Sequence, residues 1–240
     1  VNSVGTISVG GGWVDGVYVG IDASATIDNA RIENIDSIVA YDNARLEVSS
    51  TDIAGVLDGI YALDSAQISV SSSTIRDTHD NHAVAAYENS RMDIASSTII
   101  NTLENAAVGV YENAVMTIAS TTIDGVPNGS GIVVYDGTLS IASSTIKNVE
   151  DSGIYASRAT STISNTVIEN TGWIGIEIYK GQATIIDTTV SGVDGWAGIL
   201  VDSPSEPVVI NGGEVFGNEL FGVSMGAGEA ILTDVSVHDN

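Results

Sequence analysis

The feature that most constrains the fold of this chain is an apolar position that returns every 21 to 25 residues along the sequence. One such column comprises Val17, Ile38, Ile60, Val84, Val108, Ile132, Ile154, Ile176, Ile199 and Val223. A second column, in register with the first, comprises Ile53, Ile75, Ile99, Ile123, Ile146, Ile168, Val190, Val215 and Val237. Self-similarity at a fixed period of this length is the signature of a repeat architecture, so the sequence predicts one structural unit repeated about ten times.

Each repeat contains short segments in which apolar and polar residues alternate. In the repeat that spans 138–159, Leu139 and Ile141 alternate with polar neighbours, and Ser, Asn, Asp and Gly separate the apolar segments. Period-two alternation indicates short β-strands, and the separating residues indicate turns. A unit this short cannot bury its own apolar face, whereas stacked units pair every strand with its equivalents above and below. The sequence therefore predicts an all-β fold, a β-solenoid of about ten turns of 20–25 residues.

The segments LSIASSTI (139–146) and GIEIY (175–179), with Asn, Asp and Gly turns, resemble the right-handed parallel β-helix repeats of the pectin-lyase-like superfamily over essentially the whole chain. This resemblance implies a right-handed parallel β-helix. It does not select an activity, because the superfamily includes pectate lyases, polygalacturonases, phage tailspikes, bacterial surface adhesins and periplasmic copper-maturation proteins. A leucine-rich repeat is excluded, since its L-x-x-L-x-L pattern is missing and Val, Ile and Thr dominate over Leu.

Composition narrows the class of protein further. Hydrophobic residues make up 43% of the 240 residues and no linker-like stretch interrupts them, so we expect a single β-helix domain over 1–240, as a fragment of a longer secreted or surface protein. The formal net charge of −24 repels nucleic acid and anionic membranes. The sequence has no cysteine for a disulfide or metal site, and no apolar run long enough for membrane insertion.

Tyrosine forms a column of its own. All eight tyrosines fall once per repeat, either one or three residues after the inner Ile or Val, and both positions point away from the core. Exposed aromatic rings with polar groups at their edges suit the stacking of sugar rings, but neighbouring tyrosines could also stack on one another for stability alone. Two tryptophans near a turn can extend such a surface or shield the turn. The ligand-binding candidates are Tyr41, Tyr61, Tyr87, Tyr111, Tyr135, Tyr155, Tyr179, Trp173 and Trp196.

A charged column follows the tyrosines directly, and it comprises Asp42, Asp64, Glu88, Glu112, Asp136, Arg158 and Lys180. Stacked carboxylates repel one another, so they are either fully solvated or bound to a cation such as Ca²⁺, for which Glu88, Glu112 and Asp136 are the candidate ligands. The resemblance also implies that a polysaccharide lyase would place a cationic base beside such carboxylates, which makes Arg158 and Lys180 the candidate catalytic residues. Charge-balanced stacking explains the same residues without a reaction.

Two further groups of polar residues stand out, a recurring Ser or Thr and a pair of histidines. Thr51, Ser73, Ser97, Thr121, Ser144, Thr166 and Thr188 occupy one position per repeat. Their spacing from the inner Ile and Val predicts that they point inward, each hydroxyl donating to the hydroxyl above it and accepting from the one below. The segment 76–82 contains His79 and His82, which could either ligate a metal or be exposed to solvent.

Three classes of function are compatible with these patterns. We expect a non-catalytic extracellular or cell-surface module that binds carbohydrate or another surface protein through the tyrosine column. The alternatives are a polysaccharide lyase or hydrolase, and a purely structural spacer in a filament or surface layer. The hydrolase motifs that the resemblance would imply, Asn-Thr-Asp, Asp-Asp and Arg-x-Lys, do not occur in the sequence. We also expect flanking repeats or a second copy of the chain to cover the ends of the stack, because open ends expose unpaired strands.

Overall fold

The computed structural model describes residues 6–8 and 16–240, which form 31 strands in three parallel sheets and no helix. Sheet 1 contains β1 (Thr6–Ser8), β4 (Arg31–Glu33), β7 (Asp52–Ala54), β10 (Thr74–Thr78), β13 (Thr98–Thr102), β16 (Thr122–Val126), β19 (Thr145–Val149), β22 (Val167–Thr171), β25 (Thr189–Val193), β28 (Glu214–Phe216) and β31 (Ser236–His238). Sheet 2 contains β2 (Val17–Val19), β5 (Ile38–Ala40), β8 (Ile60–Ala62), β11 (Val84–Ala86), β14 (Val108–Tyr111), β17 (Ile132–Tyr135), β20 (Ile154–Ser157), β23 (Ile174–Tyr179), β26 (Ala197–Asp202) and β29 (Phe221–Met225). Sheet 3 contains β3 (Ser24–Asp28), β6 (Arg45–Ser49), β9 (Gln67–Ser71), β12 (Arg91–Ala95), β15 (Val115–Ala119), β18 (Thr138–Ala142), β21 (Thr160–Ser164), β24 (Gln182–Ile186), β27 (Val208–Asn211) and β30 (Ala230–Thr233).

The chain winds through the three sheets in the same order in every turn. Apart from the strands at the ends of each sheet, every strand pairs in parallel with its equivalents one turn before and one turn after, so Ile99 of β13 lies between Ile75 of β10 and Ile123 of β16. This pairing places equivalent residues about 4.8 Å apart along the axis. The predicted β-solenoid of about ten turns is confirmed.

The core is a stack of apolar side chains contributed by all three sheets. The Ile and Val columns of sheets 1 and 2 run through its centre, and in sheet 3 residues such as Met92 and Ile94 point inward from the same strand. Both are at most 1% exposed, as is Ile99 from sheet 1. Because the side chains of a strand alternate between its faces, residues between these positions lie on the outside of the solenoid.

The corner between sheets 3 and 1 has a constant length, whereas the connection between sheets 1 and 2 does not. Met92 to Ile99 and Met116 to Ile123 are both steps of seven residues across the first corner. Across the second connection, Ile32 to Ile38 is a step of six residues and Ile99 to Val108 a step of nine. The extra residues of the longer turns are therefore accommodated outside the sheets, and the core columns remain in register.

A buried hydroxyl row occupies the constant corner. The prediction that Thr51, Ser73, Ser97, Thr121, Ser144, Thr166 and Thr188 point inward is confirmed, since each is at most 4% exposed. The predicted hydroxyl-to-hydroxyl ladder is wrong. The hydroxyl of Ser73 donates to the carbonyl of Ser71 and accepts the backbone N–H of Thr51 from the turn before.

The local backbone explains this correction. The residue before each of these hydroxyls, such as Ser72 or Ser96, has a positive φ, which turns the next N–H along the axis and away from the strand pairing. That N–H needs a nearby acceptor, and the hydroxyl of the next turn supplies it. The side chains therefore complete the hydrogen bonding of the corner backbone rather than forming a chain among themselves.

The last described turn exposes residues whose equivalents in the turn before it are buried. Leu232 and Val237 pair with the buried Ile210 and Val215, yet each is 45% exposed, since they lie in the last of the described turns. The expectation that flanking repeats or a second copy cover such an end stays a prediction. Among the described residues, no helix is long and apolar enough to cross a membrane.

Candidate binding groove

The tyrosines occupy two adjacent positions on the outer face of sheet 2. Tyr61 and Tyr155 sit at the second position of their strands, in a column whose other members include Ala85, Gly109 and Glu177. A second column, two residues further on, aligns Tyr111 with Tyr135 and, across Ser157, with Tyr179. Small residues in the first column leave room for the large rings of the second.

Four tyrosine rings in consecutive turns contact one another. The rings of Tyr61 and Tyr87 have centroids 6.1 Å apart, those of Tyr87 and Tyr111 4.8 Å and those of Tyr111 and Tyr135 5.9 Å, with interplanar angles of 11°, 14° and 15°. Tyr155 then meets Tyr135 edge to face at 5.4 Å. We call these five residues the tyrosine ridge.

The ridge is not uniformly accessible. Tyr61 is only 8% exposed, and its hydroxyl donates to the carbonyl of His82, so its ring supports the ridge from beneath and offers no surface to a ligand. Tyr135 is 38% exposed. Burial raises the pKa values of Tyr61, Tyr87, Tyr111 and Tyr135, so these phenols remain neutral hydrogen-bond donors around neutral pH.

Beside the ridge lies a groove of about 430 Å³ that runs across four turns of the helix. The ridge residues Tyr111, Tyr135 and Tyr155 line one side of it. The opposite wall comes from the connections between sheets 1 and 2, and it comprises Asn105, Ala106, Asn128, Gly129, Ser130, Asp151, Ser152 and Trp173. Val133 and Glu177 complete the lining from the outer face of sheet 2. Three turns of rise give the groove a length of about 14 Å.

Two carboxylates and an indole give the upper part of the groove its chemistry. Trp173 is 51% exposed, so its ring is available for contact. Glu177 is half-buried, and burial raises its pKa above the usual value, with repulsion from Asp202 acting in the same direction and a hydrogen bond with Ser152 opposing both. Asp151 stands on the wall one turn below Trp173, whose backbone N–H donates to the Asp151 carbonyl.

His82 is buried behind the ridge, and it is not an open metal ligand. Its Nδ1 donates to the carbonyl of Ala106 at 2.7 Å, and its Nε2 accepts from the hydroxyl of Tyr111 at 2.8 Å. Both ring nitrogens are therefore occupied by hydrogen bonds to the protein. The interaction holds the Tyr111 ring in the ridge, above Gly109, where a β-carbon would lie 2.5 Å from that ring.

We predict that His82 makes the stability of the protein depend on pH. Burial lowers the pKa of His82 below its ordinary value of 6.5, so the unfolded chain takes up a proton at a higher pH than the native protein does. The contribution of His82 is therefore complete above about pH 6.5 and is lost as the pH falls toward the native pKa. Urea unfolding at pH 7 and pH 5.5 should show a smaller difference in unfolding free energy for His82→Phe than for the wild type.

The control for this prediction separates burial from hydrogen bonding. Tyr111→Phe removes the hydroxyl bound to Nε2 but leaves a ring over the histidine. Because burial is the main cause of the lowered pKa, Tyr111→Phe should retain the pH difference of the wild type even if it is less stable at pH 7. An unchanged pH difference in His82→Phe would contradict the assignment.

The charged column lies outside the groove, at the corner after the ridge. Asp42, Asp64, Glu88, Glu112, Asp136, Arg158 and Lys180 all have a positive φ of 50° to 57°, which marks one recurring left-handed turn. Arg158 donates two hydrogen bonds to Asp136 at 2.7 and 2.8 Å, and Lys180 lies 4.7 Å from the centre of the Tyr179 ring. The two candidate catalytic cations are thus adjacent in space, but they belong to this corner and not to the lining of the groove.

The candidate calcium ligands sit at the same corner. A hydrogen bond shared with Asp64 raises the pKa of Glu88, whereas the Arg158 guanidinium lowers that of Asp136. Within residues 16–240, no three His, Asp or Glu side chains are arranged to hold a metal ion. Binding of Ca²⁺ by Glu88, Glu112 and Asp136 stays a prediction.

Of the remaining aromatic candidates, Tyr41 and Tyr179 lie along the same outer face but do not line the groove. Trp196 follows Trp173 in the wall column, since its backbone N–H donates to the Trp173 carbonyl at 2.7 Å, and its ring packs against Phe221 at 5.3 Å. Sequence reasoning missed Glu177 and Asp151. The signal for Glu177 was available, because it replaces the outward tyrosine of its column in the turn after Tyr155.

Comparison with known proteins identifies the family. A profile described as a right-handed β-helix region matches residues 59–211, and the chain belongs to this family. This match confirms the predicted right-handed parallel β-helix. No curated protein sequence matches the chain.

Several solved structures share the fold. The periplasmic alginate epimerase AlgG superimposes with a TM-score of 0.72 at 14% identity, covering 92% of this chain and 62% of that protein. The A-module of the mannuronan C-5 epimerase AlgE6 from Azotobacter vinelandii superimposes with a TM-score of 0.59 at 9% identity, covering 95% of this chain and 80% of the module. The A-module of AlgE4 from the same organism gives 0.56 at 12% identity, with coverages of 96% and 87%. The chain thus spans less than two thirds of AlgG, and at these identities the likeness concerns the fold.

Proposed function

We propose that this protein is a carbohydrate-binding β-helix module of a secreted, periplasmic or cell-surface protein, and that it holds an extended glycan in the groove beside the tyrosine ridge. The observation that carries the proposal is the lining of that groove. The partly exposed rings of Tyr135 and Trp173 stand among hydroxyl, amide and carboxylate groups. Sugar rings need this combination, because their C–H faces pack on aromatic rings while their hydroxyls require hydrogen-bond partners.

The shape of the groove also supports an extended ligand. Its walls continue through four turns, so equivalent groups recur at intervals of about 4.8 Å along the direction of the axis. A chain of sugar rings lying along this axis would meet a similar set of contacts in each turn. The solved structures with this fold include epimerases of alginate and mannuronan, which is in keeping with a polysaccharide ligand.

We propose a binding role rather than a lyase reaction. Arg158 is paired with Asp136, and neither Arg158 nor Lys180 is among the residues that line the groove. A proton abstracted from a bound sugar would need a base within hydrogen-bonding reach of it. The two cations named as catalytic candidates do not meet that condition for a ligand bound here.

The test uses the two tryptophans that occupy equivalent positions in adjacent turns. Trp173→Ala should weaken glycan binding at least tenfold, because it removes an exposed ring that is worth about 1.4 kcal/mol or more to a stacked sugar. Trp196→Ala removes the same side chain outside the groove and should leave the affinity within about twofold. Affinities are measured by calorimetry for a glycan selected on an array.

The proposal also fixes which results would contradict it. An array on which the wild-type protein binds no glycan would remove its basis. Equal affinities of the wild type, Trp173→Ala and Tyr135→Ala for the selected glycan would place the binding site elsewhere.

A further inference from the structure

The groove has an asymmetry of charge that bears on which sugars it accepts. Asp151 and Glu177 are its ionisable acids, and the described residues that line it include no lysine, arginine or histidine. The nearest turns hold two of the few cations of the chain, Arg158 and Lys180, but both lie at the corner beyond the ridge. Arg158 interacts electrostatically with Tyr135 and Tyr155 of the lining, but it is paired with Asp136. Among the described residues, neither Asp151 nor Glu177 has a cationic partner within 4.0 Å.

The carboxylate of Glu177 is half-buried, so it has lost part of its contact with water, and no neighbouring cation in the described part of the chain replaces that contact. Its neighbours above and below in the sheet are Leu200 and Tyr155, which carry no charge to balance it. The nearby Asp202 repels it, and the partner that stabilises its charge is the neutral hydroxyl of Ser152. Among the described residues, Glu177 takes part in none of the ion pairs within 4.0 Å. A partly desolvated carboxylate of this kind gains stability from a cation that enters the groove.

The aromatic rings beside Glu177 favour the same kind of ligand. Trp173 lies on the wall of the same turn, and Tyr155 lies one turn below in the same column. The negative face of an indole or phenol ring attracts a positive charge, and this attraction grows where water is partly excluded. Carboxylate and aromatic groups together are therefore suited to an ammonium group, whereas both disfavour a carboxylate on the ligand.

We propose that the groove is selective for amino-sugar chains with free, protonated amino groups, one of which pairs with Glu177 while its ring packs on Trp173. This inference rests on the proposed function, since it assigns the ligand class of the same groove. A chain of uronic acids would bring its own carboxylates against Asp151 and Glu177. The groove therefore discriminates by charge between polymers whose sugar rings are of similar size and shape.

The test compares three tetrasaccharides that differ in charge: a glucosamine oligomer, its N-acetylated counterpart, and an oligomer of uronic acids. At a pH at which the amines are protonated, the glucosamine oligomer should bind at least tenfold more tightly than the N-acetylated one, and the uronic acid oligomer should bind least. Glu177→Gln should lose at least tenfold in affinity for the glucosamine oligomer and less than twofold for the N-acetylated oligomer. Glu169→Gln provides the matched control, since it removes the same charge from the outer face of sheet 1, where the residue is also half-buried.

The outcomes separate this inference from the proposed function. If the N-acetylated oligomer binds as tightly as the glucosamine oligomer, or if Glu177→Gln and Glu169→Gln weaken the glucosamine oligomer equally, charge selection by Glu177 is overturned while glycan binding stands. If none of the three oligomers binds while a glycan selected on the array does, the amino-sugar inference is overturned and glycan binding stands. If the wild type binds no glycan on the array, or if Trp173→Ala and Tyr135→Ala both leave its affinity unchanged, both proposals fail together.

Discussion

Replacing Ile99 with alanine is expected to lower the free energy of unfolding by about 2–5 kcal/mol. Ile99 is fully buried in β13, between Ile75 and Ile123 of the neighbouring turns. Truncation there removes contacts with both neighbours and leaves a cavity that the flanking turns cannot close, because their backbones are fixed by pairing on both sides. Equilibrium urea unfolding measures the loss.

The adjacent residue provides the control. Ile100 has the same side chain on the same strand, but it faces outward between Arg76 and Asp124 and is only half-buried. Ile100→Ala should therefore cost less than half as much as Ile99→Ala. Similar losses at the two positions would contradict the inward and outward assignment of sheet 1.

Gly153→Ala is expected to lower the free energy of unfolding by a similar amount, because it adds an atom to a closely packed site, whereas Ile99→Ala removes atoms from one. Gly153 lies directly before the inner Ile154, and a β-carbon there would stand 2.5 Å from Cγ2 of Ile168 and 2.6 Å from the carbonyl oxygen of Gly175. The carbonyl belongs to the paired backbone of the next turn and cannot move aside alone. We expect a loss of about 3 kcal/mol, the upper part of the range for an overpacked core, measured by the same urea titration.

Ala107 is the matched position for this prediction. It stands directly before Val108, as Gly153 stands before Ile154, but in a turn where alanine is the native residue. Ala107→Gly should cost only about 1 kcal/mol, through the greater backbone freedom of glycine in the unfolded chain. A tolerated Gly153→Ala would show that the turns can separate locally, contrary to the tight stacking described above.

The fold could be predicted almost entirely from sequence because every second side chain along each strand points into the core, where most side chains are apolar. The Ile and Val columns recur in every turn, so each repeat is an independent observation of the same pattern, and an error in one does not shift the others. Hydrogen-bonding partners were harder to predict. Ser73 was correctly placed inside, but its partners depend on the positive φ of Ser72, which the order of residue types does not specify.

The candidate site could be predicted only on the side that belongs to a sheet. Register alone places Tyr111 beside Tyr135, and the tyrosine ridge follows from counting residues. The opposite wall comes from connections of unequal length, so the alignment of Asp151 with Trp173 had no counterpart in the repeat pattern. The burial of Tyr61 was missed for a related reason, since it depends on how the segment that holds His82 folds over the outer face of sheet 2.

The unequal lengths of the connections between sheets 1 and 2 have a consequence for the evolution of proteins with this fold. The corner that carries the hydroxyl row has one length, a step of seven residues as from Met92 to Ile99. The connection between sheets 1 and 2, which builds the groove wall in the turns that line the groove, varies from a step of six residues (Ile32 to Ile38) to a step of nine (Ile99 to Val108). Insertions and deletions in this segment leave the stacked strands in place. We therefore expect ligand preference to diverge between related chains through changes in the wall, while the stacked strands that present it are retained.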